Sequence, residues 1–128
     1  MKQLLTFFIA LVLCFNGFAQ RTFLLYSPDS ALRLEIITGP QLTYKLFAGT
    51  QLLQSSSSIN LKLDNGLQLS DKLVVSKYNY RKINELVTVT VPYRRPVILN
   101  HYQQLELIFK QPFSVEFRLY NNGMAYRI

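Results

Sequence analysis

Apart from hydroxyls and amines, which need a neighbouring base or burial to react, the groups in this 128-residue chain that could attack a substrate, move a proton or hold a metal are seven carboxylates, one histidine and one cysteine. Cys14 sits inside an apolar run near the N-terminus, so it offers no thiol to a folded domain. His101 stands alone in Asn100-His101-Tyr102, at the expected entrance to a strand. A serine nucleophile needs a histidine oriented by a further group, and the spacing supplies none, so His101 reads as a solvated or hydrogen-bonded strand residue. Zinc needs several nitrogen or sulfur donors, which one histidine cannot provide. Paired carboxylates, as in glycoside hydrolysis, are the chemistry this composition leaves open.

The acids do not fall into such a pair. Asp29, Asp64 and Asp71 lie in turns or at loop edges, while Glu35, Glu85, Glu106 and Glu116 lie at strand positions. Glu35 and Glu106 occupy the polar phase of their strands, and Glu116 stands beside Arg118 in phase with Ser114 and Tyr120. That phasing predicts a solvated face with cross-strand ion pairs, each contributing about 0.2–1 kcal/mol. There is no phosphate-binding loop, no helix-loop-helix calcium loop and no nucleophile elbow in the string. The inventory predicts neither catalytic nor metal-ligating nor cofactor-binding residues.

The elements that carry these side chains follow from a period close to two. Leu32, Leu34 and Ile36 alternate with Arg33 and Glu35; Leu42, Tyr44 and Leu46 with Thr43 and Lys45; Val87, Val89 and Val91 with Thr88 and Thr90; Leu105, Leu107 and Phe109 with Glu106. Alternation of this kind marks half-buried strands. Turn residues separate them: Ser27-Pro28-Asp29-Ser30, Gly39-Pro40, Ala48-Gly49-Thr50, Asp64-Asn65-Gly66, Tyr93 to Pro96, Gln111-Pro112 and Asn121-Asn122-Gly123. Short strands with Asn-Gly at two junctions predict antiparallel hairpins, with left-handed backbone at Asn122-Gly123. No sustained helical period is present. The fold class expected is therefore all-β, an antiparallel β-sandwich. Ser55 to Ser58 reads as a loop between a Leu52-Leu53 strand and an Ile59-Leu61-Leu63 strand, and Lys77 to Lys82 as an edge strand whose charges discourage pairing with other chains.

The first 19 residues read as a removable leader. Met1-Lys2 gives a positive start, Leu4 to Phe15 is apolar, and Gly17-Phe18-Ala19 ends in small residues at the expected cleavage positions. Cleavage between Ala19 and Gln20 makes 1–19 a signal peptide and 20–128 one β-sandwich domain, exported to the periplasm or beyond and free of the membrane. The apolar run is shorter than the roughly 20 residues of a spanning helix. Bulky Leu11-Val12-Leu13 before Cys14 argue against lipidation, and the mature chain can form no disulfide. The formal charge of +7, with eight tyrosines, superficially suits single-stranded nucleic acid along Lys77-Tyr78-Asn79-Tyr80-Arg81-Lys82. Export removes that partner, so no nucleic acid is expected.

The string from Glu116 to Arg127 is the most informative. Phe117, Arg118, Tyr120, Asn121, Asn122, Gly123, Ala125, Tyr126 and Arg127 together resemble a segment of the N-terminal domain of glycoside hydrolase family 97. That segment reads Phe-Arg, a variable residue, Tyr-Asn-Asp-Gly, a variable residue, Ala, an aromatic and Arg. Leu25-Tyr26-Ser27-Pro28-Asp29-Ser30 resembles the family's opening strand and its Ser-Pro-Asp-Gly turn, and Leu42-Thr43-Tyr44 its next strand. The resemblance spans about residues 22–128. Asn122 stands where the family usually has Asp, Ser30 where it often has Gly, and Ile128 where an aromatic is common; the serine run replaces a Ser-Pro-Leu-Gly-like stretch.

The resemblance implies an exported enzyme of the α-glucosidase or α-galactosidase type that acts on α-linked oligosaccharide. Its N-terminal β-super-sandwich packs on a (β/α)₈ catalytic barrel and shapes the substrate pocket, which holds calcium. In that family the catalytic carboxylates belong to the barrel, and the glutamate given to calcium lies beyond the segment matched here. The chain is accordingly expected to be the front part of such an enzyme, an incomplete super-sandwich cut before the barrel and inactive alone. The alternative from another class is a stand-alone exported β-sandwich that binds carbohydrate or a cell-surface partner.

Overall fold

In a computed structural model of the chain, residues 20–69, 73–90 and 97–128 are described. The leader with Cys14 and Ala19, the acid Asp71, Val91 and the turn from Tyr93 to Pro96 lie outside the described residues.

Among the described residues, eight strands form two four-stranded antiparallel sheets. The first contains β1 (Arg21–Tyr26), β2 (Leu32–Thr38), β3 (Leu42–Ala48) and β4 (Gln51–Ile59), joined in sequence order. The second contains β5 (Val75–Thr88), β6 (Val97–Phe109), β7 (Ser114–Tyr120) and β8 (Gly123–Arg127), again in sequence order. No helix occurs among the described residues, and none there is long and apolar enough to cross a membrane. Alternation dictates the layering. Phe23, Leu25, Leu34, Ile36, Leu42 and Tyr44 point inward from the first sheet; Leu105, Leu107, Phe109, Val115, Phe117 and Leu119 point inward from the second. Together with Ile59, Leu69 and Leu73 they make one continuous core. Full burial of side chains this large stabilises by about 1.5–3 kcal/mol apiece.

Three of the turns carry the turn residues expected from the sequence. In the first, the Ser30 amide donates to the Ser27 carbonyl at 2.8 Å and the Leu32 amide to Ser27 Oγ at 2.9 Å. Ser30 then adopts φ 61°, left-handed backbone. In the second, the Gly66 amide donates to the Leu63 carbonyl at 3.0 Å and the Leu63 amide to the Leu67 carbonyl at 2.8 Å. Gly66 has φ 84°, and a tight turn followed by a left-handed glycine is a frequent three-residue hairpin. The third joins β7 to β8 through Asn121-Asn122, with Tyr120 paired to Gly123.

Here the expected backbone is corrected. Neither asparagine nor Gly123 has positive φ, and a Cβ built on Gly123 meets nothing within 4 Å. Gly123 is the first residue of β8, where extended backbone accommodates any side chain. The glycine-requiring turns are those at Gly66 and Gly49, with φ of 84° and 57°.

The serine run is a second correction. Ser55 to Ser58 belong to β4, where Ser57 pairs with Tyr44 and Ser58 with Thr43. The ladder uses backbone groups, and β4 is an edge strand, so short polar side chains cost it little packing. Register shifts between Tyr44 and Phe47 accommodate the run, and Ile59, 3% exposed, anchors its end opposite Leu42. The expected Ile59-Leu61-Leu63 strand reduces to an isolated bridge between Lys62 and Gln68. β5 stops at Thr88, leaving Val89 outside it, and His101 lies inside β6 rather than at its entrance because the strand begins at Val97. Lys77 to Lys82 do lie on an edge strand, β5.

Candidate functional site

β7 and β8 form the hairpin that bears the characteristic string. Pairing of Glu116 with Arg127, Phe117 with Tyr126, Arg118 with Ala125 and Leu119 with Met124 assigns alternate residues to opposite faces. Glu116, Arg118, Tyr120, Ala125 and Arg127 share the outer face; Phe117, Leu119, Met124 and Tyr126 share the inner one.

On the outer face one carboxylate joins two guanidiniums. Arg118 Nε donates to Glu116 Oε1 at 2.6 Å, and Arg127 Nη2 donates to Glu116 Oε2 at 2.9 Å. The Glu116 side chain is 11% exposed. Burial alone would push its carboxyl upward, but the two arginine hydrogen bonds and charges outweigh that and hold it below the usual carboxylate range. Arg118 also lies 4.9 Å from the centroid of the Tyr102 ring on β6, and Tyr102 packs on Tyr120 with centroids 5.0 Å apart. Glu106 is the ladder partner of Glu116 across β6 and accepts from Asn79 Nδ2 at 3.1 Å. The two acids thus face one another beside an open surface hollow lined also by Ser114, Arg127 and Ile128. A carboxylate whose two oxygens are both held by arginines is fixed in its ionised form, which makes it a cross-strand tie and a poor proton donor.

The inner face closes the sandwich. Tyr126 packs on Phe117 within its own sheet and on Tyr44 of the opposite sheet, with centroids 6.1 and 6.0 Å apart. At the turn, Asn121 Oδ1 accepts from the Asp29 amide at 3.1 Å. Asp29 Oδ1 in turn accepts from Ser27 Oγ at 2.6 Å and the Ala31 amide at 3.0 Å. The Ser27 hydroxyl first, then the Ala31 amide, hold the Asp29 carboxyl below its ordinary range.

The structure therefore brings Phe117, Arg118, Tyr120, Asn121, Ala125, Tyr126 and Arg127 into one hairpin, and adds Glu116, Tyr102 and Asp29 to them. The sequence showed Glu116 in phase with Arg118 and predicted cross-strand ion pairs; the Arg118 contact instead lies within β7, and the cross-strand partner, Arg127, required the β7–β8 register. Asn122 is exposed at the turn. His101, half-buried on β6, pairs in the ladder with Asn84. Among the described residues no three His, Cys, Asp or Glu converge on a point where a metal could sit.

This geometry defines an antiparallel β-sandwich domain closed by a charge-tied C-terminal hairpin. The family description "Glycosyl-hydrolase 97 N-terminal" matches residues 25–128, and the chain belongs to that family. It is 38% identical to a retaining alpha-galactosidase of Bacteroides thetaiotaomicron over 99% of its own length, and it spans 19% of that relative. In fold it is similar to a glycoside hydrolase family 97 enzyme from Pseudoalteromonas sp. strain K8, with a TM-score of 0.70 and 14% identity over 81% of this chain and 17% of that one. A beta-arabinopyranosidase is similar at a TM-score of 0.68 and 15% identity, with 81% and 17% covered.

Proposed function

We propose that the chain is the N-terminal, non-catalytic portion of an exported α-glycosidase, whose sandwich packs on a catalytic barrel and shapes the pocket for an α-linked oligosaccharide. The observation that carries this is the 38% identity to a retaining alpha-galactosidase across 99% of the chain, together with polar groups on the C-terminal hairpin that are engaged with one another. The leader pattern up to Ala19 supports export, with Gln20 as the first residue of the mature chain; intact mass of the periplasmic product checks it, and a retained Met1 contradicts it. In the whole enzyme calcium would sit with residues outside this chain.

The test is a replacement. The matched part of the retaining alpha-galactosidase is exchanged for residues 20–128, and turnover of nitrophenyl α-galactoside by the chimera is measured. Turnover comparable with the parent supports the proposal. A soluble, folded chimera without turnover contradicts it.

A further inference from the structure

The strands of the first sheet have 6, 7, 7 and 9 residues, whereas β5 has 14 and β6 has 13. The excess projects past the core as a two-stranded arm, in which Leu86 pairs with Leu99, Val87 with Ile98 and Thr88 with Val97. β7 accompanies β6 only from Gln103 onward, so among the described residues the arm has no further strand beside it beyond that point. Its aliphatic side chains are open: Leu86 is 71% exposed, Leu99 58%, Ile98 49%, Val97 45% and Val87 42%.

Pairing puts Leu86, Leu99 and Val97 on one face and Val87 with Ile98 on the other. An isolated two-stranded ribbon is marginal in water, and strands apolar on both faces belong where both faces are covered. A second copy docking through one face would leave the other bare. The flanking exposed Arg81 and Lys82 also oppose edge pairing between copies of β5. Most of the curated relative lies outside the stretch this chain matches, which is an ample supply of polypeptide to surround the arm.

We infer that the β5–β6 arm is the docking element of this domain, inserted into an apolar slot, acidic beside Arg81 and Lys82, in the remaining polypeptide of its glycosidase. This inference rests on the family reading above and specifies which surface makes the joint.

Thiol labelling tests it, because Cys14 is the only cysteine of the sequence and is absent from residues 20–128. Leu86→Cys, Leu99→Cys and Ile98→Cys are introduced singly, with Asp64→Cys in the exposed Asp64-Asn65-Gly66 turn as a control. Maleimide labelling is timed in the isolated chain and in the α-galactosidase chimera, the modified peptide being identified by mass. Labelling at the three arm positions at least about tenfold slower in an active chimera, with the control unchanged, is the expected result. Equal rates in an active chimera overturn the docking inference and leave the family reading standing. Slow, concentration-dependent labelling of the isolated chain makes a second copy the occupant and also overturns it. A soluble but inactive chimera contradicts the family reading, and the inference with it.

Discussion

The backbone amide of Asp29 donates to the side-chain oxygen of Asn121 at 3.1 Å, across 92 positions of sequence. The bond joins the β1–β2 turn of one sheet to the β7–β8 turn of the other, so the two stretches that most resemble the family meet at one end of the sandwich. A side-chain amide is a suitable acceptor there because the Asp29 carboxylate is already turned toward Ser27 and Ala31.

Asn121→Ala should therefore lower stability by less than about 1 kcal/mol, the scale of one exposed neutral hydrogen bond. Asn122→Ala, at the neighbouring exposed position, should shift the urea midpoint less. Equal shifts for the two would mean that the inter-sheet bond contributes nothing beyond the turn itself.

Ser30 and Gly123 make opposite cases. Ser30 occupies left-handed backbone at φ 61°, so Ser30→Gly should stabilise by about 0.5–1 kcal/mol once glycine's own entropy is subtracted from the relieved strain. Gly123 lies in a strand with open space at its Cβ position, and Gly123→Ala should be neutral or slightly stabilising. Gly66→Ala, at φ 84°, should destabilise by about 1 kcal/mol or more. Chemical denaturation of the three variants checks the ranking.

These glycines also show what the sequence could and could not disclose. Alternation at Leu32 to Ile36 and Leu105 to Phe109 was readable because burial of one face enforces it. Asn122-Gly123 carried a strong local turn signal, yet the two-residue loop closes without positive φ, since the dipeptide permits left-handed backbone and does not demand it. Ser55 to Ser58 misled because an edge ladder is made of backbone bonds that any residue with an amide hydrogen can form. The tie from Glu116 to Arg127 was hidden for another reason: eleven positions separate them, and only the register of β7 on β8 brings them opposite.

Acid should weaken the domain through Glu116. Its carboxyl is held below the usual range in the fold, so the unfolded chain binds a proton first. The stability this supplies is present above the ordinary glutamate value of about 4.3 and is lost as pH falls through the depressed folded value. Glu116→Gln should cost about 1–2 kcal/mol at neutral pH, where both arginines lose their charged partner, and the difference from the unaltered protein should narrow below about pH 4. Thermal unfolding from pH 3 to 7 gives the profile; a constant difference across that range would show that the arginines do not hold the carboxylate ionised.

The proposal that this domain lends structure to a glycosidase, with catalysis outside it, stands or falls on one assay. Purified residues 20–128 are incubated with nitrophenyl α-galactoside and α-glucoside, with and without calcium, and release of nitrophenol is followed against a no-protein control. No turnover above the control is predicted, because both oxygens of Glu116 are held by arginines and Glu106 is engaged by Asn79. Sustained hydrolysis by this chain alone, abolished by Glu106→Gln or Glu116→Gln, would contradict the account.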